Sequence, residues 1–227
     1  MVSANDEVSS ILSQVESWRV RETTTVSFQG LDWVLLPDVF PVQRSHSSAF
    51  AWEVLQELEP VGSFLDIGCG PGNNALLALK TGLCRTATGT DINANAVESA
   101  KINAERQGFN GSATFLVSDM FNSLSEEDKF DLVFWNSPPA LEGVDPDSLS
   151  VHERSFFDPA YDCNIRFFSQ ARRHLTDGGR LMIGFCSNGE FDRMKQIAAE
   201  SNWVPEIIAE RGEGHPHWLV DFRDTTK

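Results

Sequence analysis

Short apolar segments alternate with helical segments along most of this chain, and this alternation limits the folds open to it. The strand candidates are apolar runs rather than alternating polar and apolar patterns, as expected for strands covered by helices on both faces. They are residues 63–67, 86–92, 113–118, 130–135 and 180–185, and the helices between and after them are 73–80, 94–107, 162–175 and 190–201. This order predicts an α/β fold with a doubly wound, Rossmann-like parallel sheet.

The two ends of the chain depart from this pattern. Near the C-terminus, Val204–Ile208 and His217–Phe222 flank a glycine-containing turn, which predicts a hairpin and an antiparallel last strand. Near the N-terminus, Asp6–Trp18 carries apolar residues at helical spacing, and two strand-like runs flank Gly30. A further helix is predicted over Ser47–Leu58. The N-terminal helix and β-hairpin are therefore additions to the main sheet.

These differences predict two domains. We expect residues 1–50 to form a lid of helix and hairpin, and residues 51–227 to form the main α/β domain.

Composition bears on partners and location. The chain has 18 Lys and Arg against 33 Asp and Glu, a formal charge of −15, and no local basic cluster stands out. Because phosphate neutralisation dominates binding to nucleic acids, we expect no nucleic-acid partner. No apolar run approaches the ~18 residues that span a bilayer, and the polar N-terminus does not resemble a secretory signal. We therefore expect a cytoplasmic protein without a membrane partner; the oligomeric state is left open.

The four cysteines are scattered through the chain. They show no zinc-ligand spacing, so we expect reduced thiols and no metal site.

A glycine-rich turn follows the first strand of the main domain. The segment Asp66 to Gly72 reads D-I-G-C-G-P-G, and a helix is predicted to begin directly after it. Glycines allow the backbone to approach a ligand closely, and the helix N-terminus presents unpaired N–H groups to it. The G-x-G-x-G spacing differs from the G-x-G-x-x-G of dinucleotide sites and therefore disfavours NAD.

Acidic residues stand at three successive strand ends. Asp66 precedes the glycines, and Asp91 ends the second strand, where a carboxylate can accept both hydroxyls of a ribose. Asp119 follows the third strand, where it would lie beside a flat adenine whose faces Ile92 and Met120 cover. Ligands bind at the carboxyl edge of such sheets, so these residues predict a nucleoside-containing cofactor.

From about Ser63 to its end, the chain resembles the class I S-adenosylmethionine-dependent methyltransferases, for which D-I-G-C-G-P-G is among the most specific motifs. The resemblance implies a seven-stranded sheet with an antiparallel last strand, with S-adenosylmethionine bound by residues 51–227. The residues it assigns to the cofactor, from the methionine end to the adenine, are Asp66, Gly68, Gly70, Asp91 and Asp119.

The fourth strand ends in N-S-P-P, residues 136–139. This resembles the N-P-P-Y motif of methyltransferases that act on planar amines, including glutamine amides and adenine. In that family the Asn side chain and a proline carbonyl hold the amine, and the aromatic residue stacks on it. Asn136 matches, whereas Ser137 replaces the first proline and Pro139 stands in the aromatic position. The N-terminal hairpin and the V-F-P segment also resemble release-factor glutamine methyltransferases. We expect Asn136 to face the sulfonium and to orient the attacking group.

Two further residues are predicted to be catalytic. Tyr161 lies in the long segment after the fourth strand, which helps to form the acceptor site in this superfamily. Ser187 follows the fifth strand on the same sheet edge. Arg44 and Ser45 are candidates for binding a carboxylate, and His152 is a weaker candidate for a general base.

The resemblance predicts methyl transfer to a small polar metabolite or to a protein side chain, with a small molecule as the expected partner. A second hypothesis is a cyclase, in which the cofactor's own α-amine attacks the γ-carbon. That reaction forms azetidine-2-carboxylate and releases methylthioadenosine. A third hypothesis is a non-catalytic scaffold with a cofactor-binding fold.

Overall fold

A mixed seven-stranded sheet forms the centre of the molecule in this computed structural model, which describes residues 12–13, 15–141, 148–186, 191–212 and 216–226. Its strands are β3 (Val61–Ile67), β4 (Cys84–Asp91), β5 (Ala113–Val117), β6 (Phe130–Asn136), β9 (Leu175–Cys186), β10 (Trp203–Arg211) and β11 (His217–Asp224). Within the described residues their order is β10-β11-β9-β6-β3-β4-β5. Strands β7 (Ala140–Leu141) and β8 (Asp158–Pro159) form a separate small sheet.

Strand direction confirms the predicted topology. β3 pairs in parallel with β4 and β6, and β6 pairs in parallel with β9. β11 pairs antiparallel with both of its neighbours, β9 and β10. The chain therefore forms the doubly wound α/β sheet with an antiparallel last strand that the sequence predicts.

Six α-helices and two 3₁₀ turns have bounds within the described part of the chain. The helices are α1 (His46–Leu55), α2 (Asn73–Thr81), α3 (Ala94–Gln107), α4 (Val151–Arg154), α5 (Asp162–Gln170) and α6 (Phe191–Glu200); the 3₁₀ turns are Val42–Arg44 and Ala171–His174. Helix α3 has the predicted bounds because both ends carry strong signals. The Asn93 side chain accepts a hydrogen bond from the N–H of Asn95, and Gly108 ends the helix in the left-handed conformation.

Each face of the sheet carries its own apolar core. Phe64 and Phe134 pack on one face with helices α1, α2 and α3, whereas Leu65 and Val133 pack on the other with α5 and α6. Consecutive residues along a strand point to opposite faces of the sheet, so a strand that is apolar along its length contributes side chains to both cores. Burial of each large apolar side chain contributes about 1.5–3 kcal/mol.

The N-terminal hairpin consists of β1 (Thr24–Phe28) and β2 (Leu31–Leu35). Its Trp33 is fully buried in the same core as Phe64, and the Asn103 side chain on α3 hydrogen-bonds both the N–H and the carbonyl of Val34. Residues 15–17 are helical, and the first eleven residues lie outside the described ranges. One apolar core thus contains residues from both sides of residue 50, such as Trp33 and Phe64. The division into two domains at residue 50 stays a prediction.

The order of the strands also locates the site. The chain proceeds from β3 to β4 and β5 on one side of the sheet, then returns to β6 on the other. Ligands bind beyond the carboxyl ends of the strands at such a reversal. No helix in the described part of the chain is long and apolar enough to cross a membrane.

Candidate active site

A cavity of about 490 Å³ lies at the carboxyl ends of β3, β4, β5 and β6. Its volume is in the range of small-molecule sites in proteins. The predicted site residues that line it are Gly68, Gly70, Asp91, Ile92, Asp119, Met120 and Asn136. The fold thus brings the three predicted strand ends and the N-S-P-P segment to one cavity.

The glycines of the turn after β3 have two different functions. Gly68, Gly70 and Gly72 all have positive φ angles, of +63°, +54° and +85°. A Cβ atom at Gly72 would lie 3.0 Å from the Ala100 Cβ, so this glycine allows the turn to pack against α3. At Gly70 the nearest atom to a Cβ would be 4.0 Å away, which leaves the backbone open to a ligand.

Asp91 is held in place by backbone N–H groups. Its Oδ2 accepts from the N–H of Gly70 at 2.9 Å, and its Oδ1 accepts from the N–H of Asn93 at 2.8 Å. Burial raises the pKa of Asp91 above its usual range, and the two backbone hydrogen bonds oppose that rise. A carboxylate has about four acceptor positions, so both oxygens retain capacity for the hydroxyls of a ribose.

Asp66 lies beneath the glycine turn, is 1% exposed and, unlike the other predicted cofactor residues, is absent from the cavity lining. Neither of its carboxylate oxygens has a hydrogen-bond partner among the described residues. Burial raises the pKa of Asp66 to about 8; the Asn74 side chain and the N–H of Ala75 oppose that rise, and the charge of Asp91 adds to it. A poorly satisfied buried carboxyl is costly, and a cationic group on a ligand would relieve that cost. The glycine turn with Asp66 behind it is therefore compatible with a cofactor that carries an ammonium group at this end.

Asp119 is paired with a cation that the sequence analysis did not single out. Its Oδ2 lies 2.8 Å from Nη1 of Arg166 on α5, and the same guanidinium contacts Asp162 at 2.8 Å. Next to it, Met120 has a φ of +53°, and its carbonyl accepts a hydrogen bond from the hydroxyl of Ser118. Arg166 belongs to no recognisable sequence motif, so the ion pair with Asp119 is seen only in the folded structure.

Asn136 is the last residue of β6, and two neighbours fix its amide. Its Nδ2 donates to the hydroxyl of Ser48 on α1 at 3.4 Å. A Cβ atom at Gly184 of β9 would lie only 2.5 Å from the Asn136 Oδ1, so the amide occupies the space that this glycine leaves. An isolated glycine within an apolar strand signals such a close approach, and that signal was available in the sequence.

Ser137, which replaces the first proline of N-P-P-Y, stabilises the end of β6. Its N–H and its hydroxyl both donate to the carbonyl of Gly184, at 2.9 Å and 3.0 Å. A proline has no N–H and no hydroxyl, so it would make neither bond.

The structure does not bring Tyr161 to the cavity. Tyr161 is 3% exposed, packs in the core that contains Phe167, and is absent from the cavity lining. Ser187, the third predicted catalytic residue, lies outside the described residues.

Of the remaining candidates, Arg44 and Ser45 line the cavity and His152 does not. His152 is 1% exposed, and its Nε2 lies 3.1 Å from the carbonyl of Val15. Arg44 and Ser45 do line the cavity, and the Ser45 hydroxyl accepts from the N–H of Ser48 to cap α1.

Metal and disulfide chemistry find no support in the described ranges. There, no group of three or more His, Cys, Asp or Glu residues is placed to hold a metal ion. None of the four cysteines forms a disulfide.

Comparison with known proteins supplies the deciding observation, because residues 58–223 match a family model described as a methyltransferase domain. The chain belongs to this family. Among the curated relatives of this methyltransferase-domain protein, a ribosomal RNA small subunit methyltransferase C of Haemophilus influenzae is 30% identical over 166 residues, covering 73% of this chain and 44% of the relative. A release factor glutamine methyltransferase of Geobacter sulfurreducens is 29% identical over 167 residues, covering 70% and 57%.

The chain spans about half the length of the curated relatives it matches. Among solved structures, a T. thermophilus 16S rRNA N2 methyltransferase in complex with AdoMet and guanosine has a TM-score of 0.64 and 19% identity. The similarity covers 89% of this chain and 50% of that one, and it shows the shared fold.

These findings confirm the predicted class I S-adenosylmethionine-dependent methyltransferase superfamily. They also confirm a transferase-type enzyme with S-adenosylmethionine as cofactor.

The prediction of a small-molecule substrate and no nucleic-acid partner is wrong, since the relatives are named for ribosomal RNA and for a protein release factor. Net charge misled because it averages over the whole surface. The fold brings Arg44, Arg154 and Arg166 to one cavity from three separate segments, although Arg166 is paired there with Asp119 and Asp162. The placement of Arg44 and Arg154 at the cavity is invisible in the linear sequence.

Proposed function

We propose that this methyltransferase transfers a methyl group to a planar nitrogen on a macromolecule, and that its first candidate acceptor is a protein glutamine carboxamide. The observation that carries this proposal is the Asn136 amide, fixed at the end of β6 in the same cavity as Gly70 and Asp91. A primary amide both donates and accepts hydrogen bonds, which suits a planar acceptor that bears an N–H and a neighbouring carbonyl.

S-adenosylmethionine supplies a methyl group activated by positively charged sulfur. In this proposal Asp91 and Asp119 hold its nucleoside, and Asp66 pairs with its ammonium group. Asn136 aligns the acceptor nitrogen with the methyl carbon. Alignment of two bound reactants can contribute up to about 7–11 kcal/mol, so few further catalytic groups are needed.

A second candidate acceptor is an amine of an RNA base. It is favoured by the match to the ribosomal RNA methyltransferase over 73% of the chain. The arginines at the cavity, Arg44 and Arg154, are suited to contact phosphates beside such a base. We place either activity in the cytoplasm, as the sequence predicts, because ribosomal RNA and release factors are the substrates named for the relatives.

Label transfer tests the proposal. The purified protein is incubated with tritium-labelled S-adenosylmethionine and a desalted extract of its native host, and the product is then treated with protease or ribonuclease. We expect protease-sensitive label that proteolytic digestion and mass spectrometry identify as methylated glutamine, with Asn136→Ala as the inactive control. Ribonuclease-sensitive label would favour the second candidate.

A parallel incubation omits the extract. Release of methylthioadenosine with azetidine-2-carboxylate, above the level of an incubation without protein, would overturn methyl transfer in favour of intramolecular cyclisation.

A further inference from the structure

Three aromatic side chains from separate segments meet at the cavity. Trp18 follows the N-terminal helical residues, Phe40 follows the hairpin, and Phe156 follows α4. The Phe156 ring centroid lies 5.0 Å from that of Phe40 and 5.8 Å from that of Trp18. All three line the cavity and remain partly exposed, unlike the fully buried core ring of Phe167.

The N-S-P-P segment lacks the aromatic residue that would stack on an acceptor, because Pro139 occupies its position. We propose that Trp18, Phe40 and Phe156, here called the aromatic wall, supply this stacking surface for the planar acceptor group. The inference rests on the proposed function, since it requires a planar acceptor. Partly exposed rings in a cavity bind flat π-systems through stacking and edge contacts.

The aromatic wall is tied to the cofactor side of the cavity through Asn93. The Asn93 side chain donates to the carbonyl of Asp38 at 2.9 Å, two residues before Phe40. The N–H of the same residue donates to Asp91 at 2.8 Å. The wall and the carboxylate assigned to the ribose are therefore held in one hydrogen-bonded unit, which reduces the cost of ordering them on binding.

Further contacts hold the ring of Phe156 and the segments that carry Trp18 and Phe40. The His152 ring packs edge-on against Phe156 with centroids 5.1 Å apart, and its Nε2 lies 3.1 Å from the carbonyl of Val15, in the helical segment that precedes Trp18. An ion pair between Arg19 and Asp38 joins the segments that carry Trp18 and Phe40. These contacts fix the rings while leaving part of their surface in the cavity.

Binding of small planar probes tests the wall without requiring turnover. The protein saturated with S-adenosylhomocysteine is titrated with N-acetylglutamine methylamide, and separately with guanosine, using saturation-transfer NMR. Phe156→Leu and Phe40→Leu should each weaken binding of the carboxamide probe by about 2- to 10-fold, the range that one lost aromatic contact gives. Phe156→Tyr, which keeps the ring, should restore wild-type binding.

Phe191→Leu is the matched control. Phe191 is also partly exposed and packs on Trp218, with centroids 4.9 Å apart, but it does not line the cavity. This variant should bind the probe normally, and calorimetry should give unchanged S-adenosylmethionine affinity for all four variants.

Three results would overturn the wall: no binding of either probe to the wild type, equal probe binding to the wild type and all variants, or a loss of S-adenosylmethionine affinity in the Leu variants. The last would assign the rings to the cofactor. A response to guanosine alone would overturn the carboxamide in favour of a base. Failure of the proposed function looks different: the wild type would bind the probe through the wall yet transfer no label to any acceptor.

Discussion

The two sides of the cavity are built from different kinds of chain segment. The cofactor side consists of one continuous turn, Asp66 to Gly72, and the ends of two neighbouring strands at Asp91 and Asp119. The acceptor side joins Asn136 to partners such as Gly184 that lie far away in the chain. The comparison shows that a site made of local turns is visible in a sequence as one motif, whereas a site made of tertiary contacts leaves only separate signals, such as Asn136 and an isolated strand glycine, without their pairing.

The sharpest test of this division is Asn136→Ala. Removing the amide should slow product formation by about 10²-fold or more, the scale of a positioned catalytic group, because its contacts matter mainly in the transition state. S-adenosylmethionine affinity, measured by calorimetry, should stay close to that of the wild type. Near-normal turnover with tenfold weaker cofactor binding would instead place Asn136 on the cofactor side.

Asp91→Ala should mainly weaken S-adenosylmethionine binding, whereas Asn136→Ala should mainly slow turnover. Loss of charge-assisted hydrogen bonds, about 1.5–3 kcal/mol each before compensation, should weaken S-adenosylmethionine binding more than tenfold. The protein should remain folded by circular dichroism. Glu98→Ala, which removes an exposed acid from α3, is the control and should bind normally. Unchanged affinity in Asp91→Ala would contradict the ribose assignment.

Gly184→Ala tests whether the Asn136 amide works through its position. The new methyl group would lie 2.5 Å from the Asn136 Oδ1 and must displace the amide. We expect turnover to fall by about tenfold, since small misplacements of a reacting group are costly.

Gly111→Ala provides the control for Gly184→Ala, because a Cβ there meets nothing within 4 Å. In the Asn136→Ala background, Gly184→Ala should cause no further loss of turnover. An additive loss in the double variant would show that Gly184 acts independently of the amide.

The smallest effect concerns pH and Asp66. The pKa of Asp66 is about 8 in the cofactor-free protein, and a cationic ligand favours the ionised carboxylate. S-adenosylmethionine affinity should therefore rise several-fold as the pH rises toward 8, by proton linkage. Calorimetry on Asp66→Asn isolates this contribution from the titration of the ligand itself. A wild-type profile as flat as that of the variant would show that no cation contacts this carboxyl.

Stability should change in the opposite direction with pH. The folded protein retains the Asp66 proton up to about pH 8, whereas the unfolded chain releases it near the usual carboxyl pKa. The contribution of Asp66 to the free energy of unfolding should thus decline as the pH rises between those two values. Urea unfolding at several pH values should show that decline in the wild type and not in Asp66→Asn.

Much of the sheet was predictable because strands such as β3 and β6 contain apolar runs bounded by turn signals. The predicted helix over 162–175 ends as an α-helix at Gln170 and continues as a 3₁₀ turn, Ala171–His174. Periodicity does not distinguish these two helix types at a terminus. Tyr161 shows the limit for side chains: it was placed on the correct segment, yet the fold turns it into the core.

The pairing of Asn136 with Gly184 has an evolutionary consequence. Any residue larger than glycine at position 184 competes with the amide for the same space, so the two positions are free to vary only together. A lineage that lost Asn136 would relax selection on Gly184, and a lineage that first enlarged Gly184 would lose the amide's placement. Across descendants of a common ancestor, substitutions at position 184 should therefore accompany or follow those at position 136.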